Sequence, residues 1–332
     1  MKSITVLYAS DDNYAGIMGV SIYSLLEQHK NVWVNIFVLD NHISQANKRV
    51  LLDMTHSKGG CTLNFEEYTD ISECTGLDVL NDRSLSTYSR LMIQEIFPKD
   101  LKRVLYLDCD TLITDSLEEF YFSDMGNYIL SACEDFVMPH YKYSIGMEKQ
   151  DLYVNAGVLL IQLDRWRECE VEKNFLEFLK KYDGKVPHHD QGIINGVLAG
   201  KIKKAPLRYN AITPVFEFSY KQLCKLYRDT SISNDEVVEA NKRPACVHFT
   251  PSYSGRPWFD YSRHPLRNKY RDCIEKSGLK NVLTSKDRRN WHTKIMMKLF
   301  SILPFRLFVV VCRAVNIKST LSNNREQRKE QR

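Results

Sequence analysis

Strand and helix patterns alternate through the first 68 residues, and the alternation leaves few architectures open. Residues 4–9, ITVLYA, form an apolar run rich in strand formers and end in Ser10-Asp11-Asp12-Asn13-Tyr14. Ile17, Val20, Ser21, Leu25 and Leu26 then recur at helical spacing and predict a helix over 16–29. Residues 32–39 read as a second strand. Ser44 is a candidate N-cap for a helix that runs to Lys58 and stops at Gly59-Gly60. Residues 61–68 read as a third strand. Strands alternating with helices imply an α/β fold with a parallel central sheet, in which ligands bind beyond the carboxyl ends of the strands.

Residues 103–114, RVLYLDCDTLIT, carry the chemistry. Val104 to Leu107 form a short buried-strand run, and Asp108 and Asp110 follow it. On an extended backbone side chains at i and i+2 share a face, about 6 to 7 Å apart. Two carboxylates aimed at one point repel by about 1 kcal/mol in water, and by more at low dielectric. A divalent cation removes that repulsion, and hard oxygen ligands suit Mg²⁺ or Mn²⁺. Such an ion, left with open positions, takes diphosphate oxygens. The alternative is that both Asp residues only end a strand and begin a turn. Cys109, between them, points its side chain the other way and reads as core rather than as an ion ligand. Asp11 also stands at a strand end, where Asp11 and Asn13 suit a base edge or ribose hydroxyls, or else an Asx turn. No GxGxxG follows the first strand and no GxxxxGK[ST] occurs, so the dinucleotide and P-loop modes of phosphate binding are unsupported.

Further along, residues 84–97 read as a helix that carries Arg90 and stops before Pro98. Residues 128–133 predict a strand ending in Glu134-Asp135, and the aromatic-rich stretch 136–153 reads as a loop over the site. Residues 154–163, VNAGVLLIQL, are an apolar strand whose Asn155-Ala156-Gly157 start suggests close approach of backbone to a ligand. A helix is expected over 164–182. His188-His189-Asp190-Gln191 opens another, to Leu198, with Asp190 as a reasonable N-cap. Adjacent histidines diverge in direction, so joint metal ligation by them is not expected. A short basic strand over 201–208 and weak helical character over 219–243 precede a strand that ends in His248. That histidine and the following loop, with Arg256 and Trp258, can supply a nitrogen ligand and a cation for phosphate.

The nine cysteines are scattered, with no CxxC, which reads as a reduced cytosolic chain rather than a disulfide framework or zinc site. The start, MKSITVLYAS, shows no apolar signal-peptide core. Residues 286–332 hold twelve Lys/Arg and three Asp/Glu, a net of +9, whereas the first 285 residues hold 34 basic and 38 acidic, a net of −4. Within 291–317 apolar side chains are interrupted by Lys294, Lys298, Arg306 and Arg313, too often for a span of about 20 residues. A basic amphipathic segment lying on an anionic membrane surface fits that pattern, and a helix docked on the domain is the plainer alternative. No RNA- or DNA-binding motif accompanies the charge, so no nucleic-acid partner is expected. The expected organisation is a catalytic domain over 1–285, a membrane-associating segment over 286–320 and a disordered polar end over 321–332.

Taken in order, YASDDNY (8–14), STYSRL (86–91), VLYLDCDTLITDSL (104–117), ACEDF (132–136), VNAGVLLIQLDRW (154–166), HDQGIINGVLAGK (189–201), RYN (208–210) and VHF (247–249) form a set. With them the chain resembles the family 8 retaining glycosyltransferases, especially the lipooligosaccharide and lipopolysaccharide galactosyl- and glucosyltransferases of Gram-negative bacteria. The resemblance covers about residues 1–260. It implies a GT-A-like, Rossmann-type nucleotide-binding domain with a basic helical tail, acting on UDP-galactose or UDP-glucose and a glycolipid or oligosaccharide acceptor. It implies a cytoplasmic protein, peripheral on the cytoplasmic face of the inner membrane. It further implies that Asp108, Asp110 and His248 bind Mn²⁺, with Mg²⁺ as a substitute. Ala9, Ser10, Asp11, Asn13 and Cys109 would border the uridine and ribose. Arg90, Asp135, Asn155, Asp190 and Gln191 would line the donor sugar, with Gln191 and Asp190 nearest the reacting carbon. The loop after His248 departs from the family pattern: Pro251 replaces a Gly, the loop is two residues longer, and Arg256 stands where Lys is expected. Arg can still grip a diphosphate bidentately. The implied reaction moves a hexose onto a hydroxyl with retention. An amide such as Gln191 is a poor nucleophile, which favours a front-face path. The alternatives are another UDP-sugar-using enzyme of that family with an acceptor other than lipopolysaccharide, a nucleotidyltransferase, or a non-catalytic membrane adaptor on the same fold.

Overall fold

The computed structural model describes residues 2–67, 86–227, 230–279 and 291–312, together with Ile71, Cys74, Arg289 and Ala314. The alternating pattern folds as expected into β1 (Ser3–Asp11), α1 (Ala15–Gln28), β2 (Trp33–Asn41), α2 (Gln45–Lys58) and β3 (Cys61–Glu66). The expected end of β3 at Tyr68 lies outside the described residues. Ser44 caps α2 by accepting from the Asn47 N–H, and Gly59 ends it at φ 67°, a conformation glycine adopts without steric cost. Then follow β4 (Arg103–Leu107), β5 (Thr111–Ile113), β6 (Leu130–Glu134), β7 (Val154–Gln162), α3 (Val171–Lys181), α4 (Asp190–Leu198), β8 (Ile202–Ala205), β9 (Ala211–Ile212) and β10 (Cys246–His248).

Seven strands form the central sheet in the order β3-β2-β1-β4-β7-β6-β8. It is mostly parallel, but β7 runs antiparallel to both β4 and β6. Two cores cover its faces. Ile4, Val6 and Tyr8 of β1 pack with α1 on one side, and Leu7 and Ala9 pack on the other with Phe175 of α3 and Ile193 and Ile194 of α4. That is the period-two alternation of a strand buried on both faces. A second, three-stranded sheet in the order β5-β10-β9 lies beyond the end of β4. It pairs His248 with Thr111 on one side and with Ile212 on the other.

The stretch 136–153, expected as a loop, carries a short helix, Pro139–Ser144, and three helix expectations need correction. The helix over 84–97 is only one turn, Ser86–Ser89, with residues 84 and 85 outside the described ones. The chain then breaks into turns because the N–H groups of Ile93 and Gln94 donate to the buried carboxylate of Glu172, at 2.6 and 2.7 Å, instead of to helix carbonyls. The helix over 164–182 is split into Leu163–Glu168 and α3, because Glu170 takes a left-handed φ of 48°. Asp190 is not an N-cap: His189 occupies that position without a side-chain cap, and Asp190 turns inward as the first residue of α4. The weakly helical stretch 219–243 resolves into Tyr220–Tyr227 and Asn234–Lys242, the second opened by a capping box between Ser233 and Glu236.

Downstream, α5 (Trp291–Ile302) and the helical residues 305–312 return to the domain. Tyr253 stacks on Phe300 at 5.1 Å and meets Phe308 edge-on at 4.8 Å, while Phe218 packs on Phe300 and Phe305. Trp291, Ile295, Ile302, Leu307 and Val310 stay exposed. No helix among the described residues is long and apolar enough to cross a membrane. The segment 321–332 lies outside the described residues.

Glu172 also accepts from the indole N–H of Trp166, so it satisfies three buried donors. Replacing it with Ala strands all three. We expect Glu172→Ala to lower stability by about 3 kcal/mol in chemical denaturation, and Glu172→Gln, which keeps one acceptor, by less.

Candidate active site

β4 ends at Leu107, and Asp108 and Asp110 sit in the turn that follows rather than on extended strand. The turn is held by the Thr111 hydroxyl, which donates to the Asp108 carbonyl at 2.8 Å. The small sheet then delivers His248 from the far end of the chain. Its Nε2 lies 3.1 Å from Asp110 Oδ1 and 3.5 Å from Asp108 Oδ2. Asp108, Asp110 and His248 offer ligand atoms within 4.8 Å of one another, the one such group among the described residues.

Two guanidinium groups flank this triad. Arg90 sits 2.8 Å from Asp108 Oδ1 and 3.2 Å from Asp190 Oδ2, donates to the Ala156 carbonyl, and lies over the Tyr106 ring. Arg256 sits 2.9 Å from Asp110 Oδ2 and donates to the Tyr14 hydroxyl and the Phe249 carbonyl. The electrostatics follow. Burial works to raise the Asp110 carboxyl, but His248 and Arg256 outweigh it and bring the group down to about 2. Burial works to lower the His248 imidazole, and Asp110 more than reverses it, so that group titrates above its usual range. Burial raises Asp190 to about 6 although Arg90 pulls the other way, and the like charge of Asp108 adds to the rise.

The cleft around these groups has a volume of about 750 Å³. Ala9, Ser10, Asp11, Arg90, Asp135, Asn155, Asp190, Gln191 and Arg256 border it, and so does Cys109, whose buried thiol donates to the Ala9 carbonyl. Asn13 stands exposed outside that lining, and Asp11 accepts from the N–H of Tyr14, three residues on, through both its carboxylate and its carbonyl. Asp135 accepts from both Asn155 and Gln191 amides, at 3.1 and 2.9 Å. His188 and His189 engage the hydroxyls of Tyr153 and Tyr88 and form no metal group. The cleft therefore lies beyond the carboxyl ends of β1 and β4, where an open α/β sheet binds ligands.

The sequence profile of glycosyl transferase family 8 matches residues 5–262. The chain belongs to glycosyl transferase family 8. A protein of Haemophilus influenzae is 32% identical over a stretch covering 63% of this chain and 63% of that one. The lipopolysaccharide 1,2-glucosyltransferase of Escherichia coli is 20% identical over 84% of this chain and 80% of its own length. Among solved structures, the galactosyltransferase LgtC, in complex with donor and acceptor sugar analogues, matches with a TM-score of 0.70 at 27% identity. That match covers 86% of this chain and 98% of LgtC.

The donor set of this family 8 member suits a divalent cation on its own chemistry. Five carboxylates (Asp11, Asp108, Asp110, Asp135 and Asp190) border the cleft against two guanidinium groups, so with His248 neutral the site lacks three positive charges. Two hard oxygen donors and one imidazole fit Mn²⁺ or Mg²⁺ better than a soft metal.

Several contributors are not evident from sequence spacing. Tyr14 and Tyr106 orient the two arginines, and Asn210 Oδ1 lies 3.0 Å from the Nδ1 of His248. Its placement in RYN, just ahead of an apolar pair, was a usable signal, as a buried Asn needs partners. The Asn155-Ala156-Gly157 break does mark a close approach, but to His248 and Asp108. A Cβ on Gly157 would lie 2.2 Å from His248 Cε1 and 2.9 Å from Asp108 Oδ2. The loop after His248 is clamped by Glu217, which accepts from the Ser252 hydroxyl and the Ser254 N–H. Its Tyr253 packs on Phe300 and Phe308.

Because the ring of His248 and a methyl at 157 cannot share that space, we expect Gly157→Ala to displace the imidazole. Any rise in melting temperature that MnCl₂ gives the wild type should then be absent from the variant, read by thermal shift with and without the salt.

Proposed function

We propose that this protein transfers a hexose, galactose or glucose, from a UDP-sugar to a hydroxyl of a lipopolysaccharide, lipooligosaccharide or related glycan, with retention at the anomeric carbon. The observation that carries the reading is the convergence of Asp108, Asp110 and His248 at the end of β4, with Arg256 beside them. It is supported by the family, by the sugar analogues in the LgtC complex and by the E. coli relative's named activity.

Asp108, Asp110 and His248 would hold Mn²⁺, or Mg²⁺. When bound, the ion supplies Lewis-acid neutralisation of charge on the departing diphosphate. Arg256, freed from Asp110, turns its fork to the same diphosphate. Ala9, Ser10, Asp11 and Cys109 border the nucleoside side of the cleft. Arg90 holds Asp190 in its ionised form to grip donor-sugar hydroxyls, and Asp135 and Asn155 do the same from just past β6 and from β7. Gln191, bonded at both ends of its amide, is rigid and unsuited to attack. The acceptor hydroxyl therefore passes its proton to the leaving phosphate on the same face, and the enzyme forms no covalent glycosyl bond.

The exposed apolar side chains of α5 and residues 305–312, with Lys294, Lys298 and Arg306, fit attachment to the anionic cytoplasmic face of a membrane. The catalytic unit would then be residues 1–285 and the attachment segment 286–320.

A panel of UDP-sugars with Mn²⁺ tests the reading, with released UDP and acceptor dependence as readouts. Pyrophosphate release in place of UDP would establish nucleotidyl transfer instead. Asp110→Asn should reduce turnover by more than the roughly 100-fold that loss of a mere supporting residue costs, with the fold retained. Near-normal activity in that variant rules out the metal assignment.

The acid limb is a further check. Asp190 must be ionised to hold Arg90 and the sugar, so turnover at saturating Mn²⁺ should fall as pH drops through about 6. Asp190→Asn should be slow at every pH and should lack that limb.

A further inference from the structure

Asn210 is fully buried, at the end of the 3₁₀ turn Leu207–Asn210 that leads into β9. Its Oδ1 lies 3.0 Å from His248 Nδ1, and its Nδ2 donates to Asn155 Oδ1 at 2.8 Å. Those contacts alone leave the direction of each amide, and the tautomer of the imidazole, undecided. The backbone decides them. The Gly157 N–H, which can only donate, points at Asn155 Oδ1 at 3.0 Å. Asn155 must therefore present its oxygen on that side and its NH₂ to Asp135, which accepts at 3.1 Å. Asn210, facing the same oxygen of Asn155, must present its NH₂ there. Its own oxygen is left facing His248, so the ring nitrogen opposite must carry a hydrogen.

The same logic holds on the sugar side. The Ala156 N–H points at Gln191 Oε1 at 3.1 Å, which turns the Gln191 NH₂ to Asp135 Oδ2 at 2.9 Å. Two consecutive backbone N–H groups of β7 thus set the sense of one hydrogen-bond chain: His248, Asn210, Asn155, Asp135, Gln191.

We propose that Asn210 is a positioning residue that holds His248 as the Nδ1–H tautomer, so that Nε2 faces Asp108 and Asp110 with its lone pair, and that links this choice through Asn155 to the sugar side of the cleft. The inference rests on the metal-site reading given under Proposed function. It adds a residue that touches neither ion nor sugar, and it assigns separate tasks to the two ends of one amide. The oxygen serves the metal ligand, since an imidazole held by an outer partner is oriented and made more basic. The NH₂ serves Asn155 and, through it, Asp135.

Two measurements test it. In metal-free wild-type protein labelled with ¹⁵N-histidine, at alkaline pH where the ring is neutral, the His248 resonance assigned with His248→Gln should show a protonated Nδ1 and an unprotonated Nε2. An Nε2–H tautomer, in which Asp110, 3.1 Å from Nε2, takes the single ring hydrogen in preference to Asn210, overturns the proposal whatever the ion does. Mn²⁺ affinity is then titrated for wild type, Asn210→Ala and Asn210→Asp. Asn210→Ala removes both ends and should weaken Mn²⁺ by about 10- to 100-fold. Asn210→Asp keeps an acceptor for Nδ1–H but turns an acceptor toward Asn155. It should hold Mn²⁺ with near wild-type affinity while kcat falls. Equal weakening in both variants, or none in either, overturns the division of tasks. A wild type that binds neither Mn²⁺ nor Mg²⁺ sinks the metal-site reading alone, and the tautomer still decides on Asn210.

Discussion

Mutual repulsion between Asp108 and Asp110, at the end of a strand buried on both faces, is the constraint that organises the surrounding structure. Two carboxylates this close in a low-dielectric site cannot both stay ionised without positive charge between and around them. Here that charge comes from three distant parts of the chain. Arg90 reaches Asp108, Arg256 reaches Asp110, and the imidazole of His248 stands between the two. The arrangement is a set of cations around a small anionic point, with Asp190 and Asp135 keeping the cleft negative beyond what the two arginines offset. A polar cleft of this kind accepts a divalent ion and an anionic ligand together.

The topology exists to keep that point small. β7 runs against its neighbours, and so its first residues, not its last, arrive beside the end of β4. Asn155, Ala156 and Gly157 then supply an amide, a carbonyl for Arg90 and an empty space where the ring of His248 lies. The three-stranded sheet pins β10 between β5 and β9, which sets His248 opposite Thr111, one residue beyond Asp110. Neither sheet alone builds the site.

The loop after His248 ties the cleft to the tail. Its Tyr253 packs among Phe300, Phe308 and Cys312. Glu217 holds the loop at its base, and Arg256 emerges beyond it toward Asp110 and Tyr14. The tail is therefore in part a packed element of the domain, as the plainer of the two readings of its sequence holds. It also keeps a separate exposed set of apolar side chains.

Read as sequence, residues 2–67 already determine their own elements, because strand propensity, helical spacing, the Ser44 cap and the Gly59 stop all agree over short range. Asp108 and Asp110 are legible as a pair for the same reason: adjacency in the chain becomes adjacency in space. Only the tertiary structure decided what depends on long-range partners. Glu172 captures the N–H groups of Ile93 and Gln94 and cancels a helix that the local pattern favours. Arg90 turns Asp190 inward from the cap position that its sequence suggests. Gly157 has no side chain because His248 occupies that volume, and Asn210 matters because a backbone N–H two contacts away dictates which way its amide faces. A chain read locally carries propensities and spacings, whereas the direction of a buried hydrogen bond and the space left for a ring are set by residues that meet only after folding.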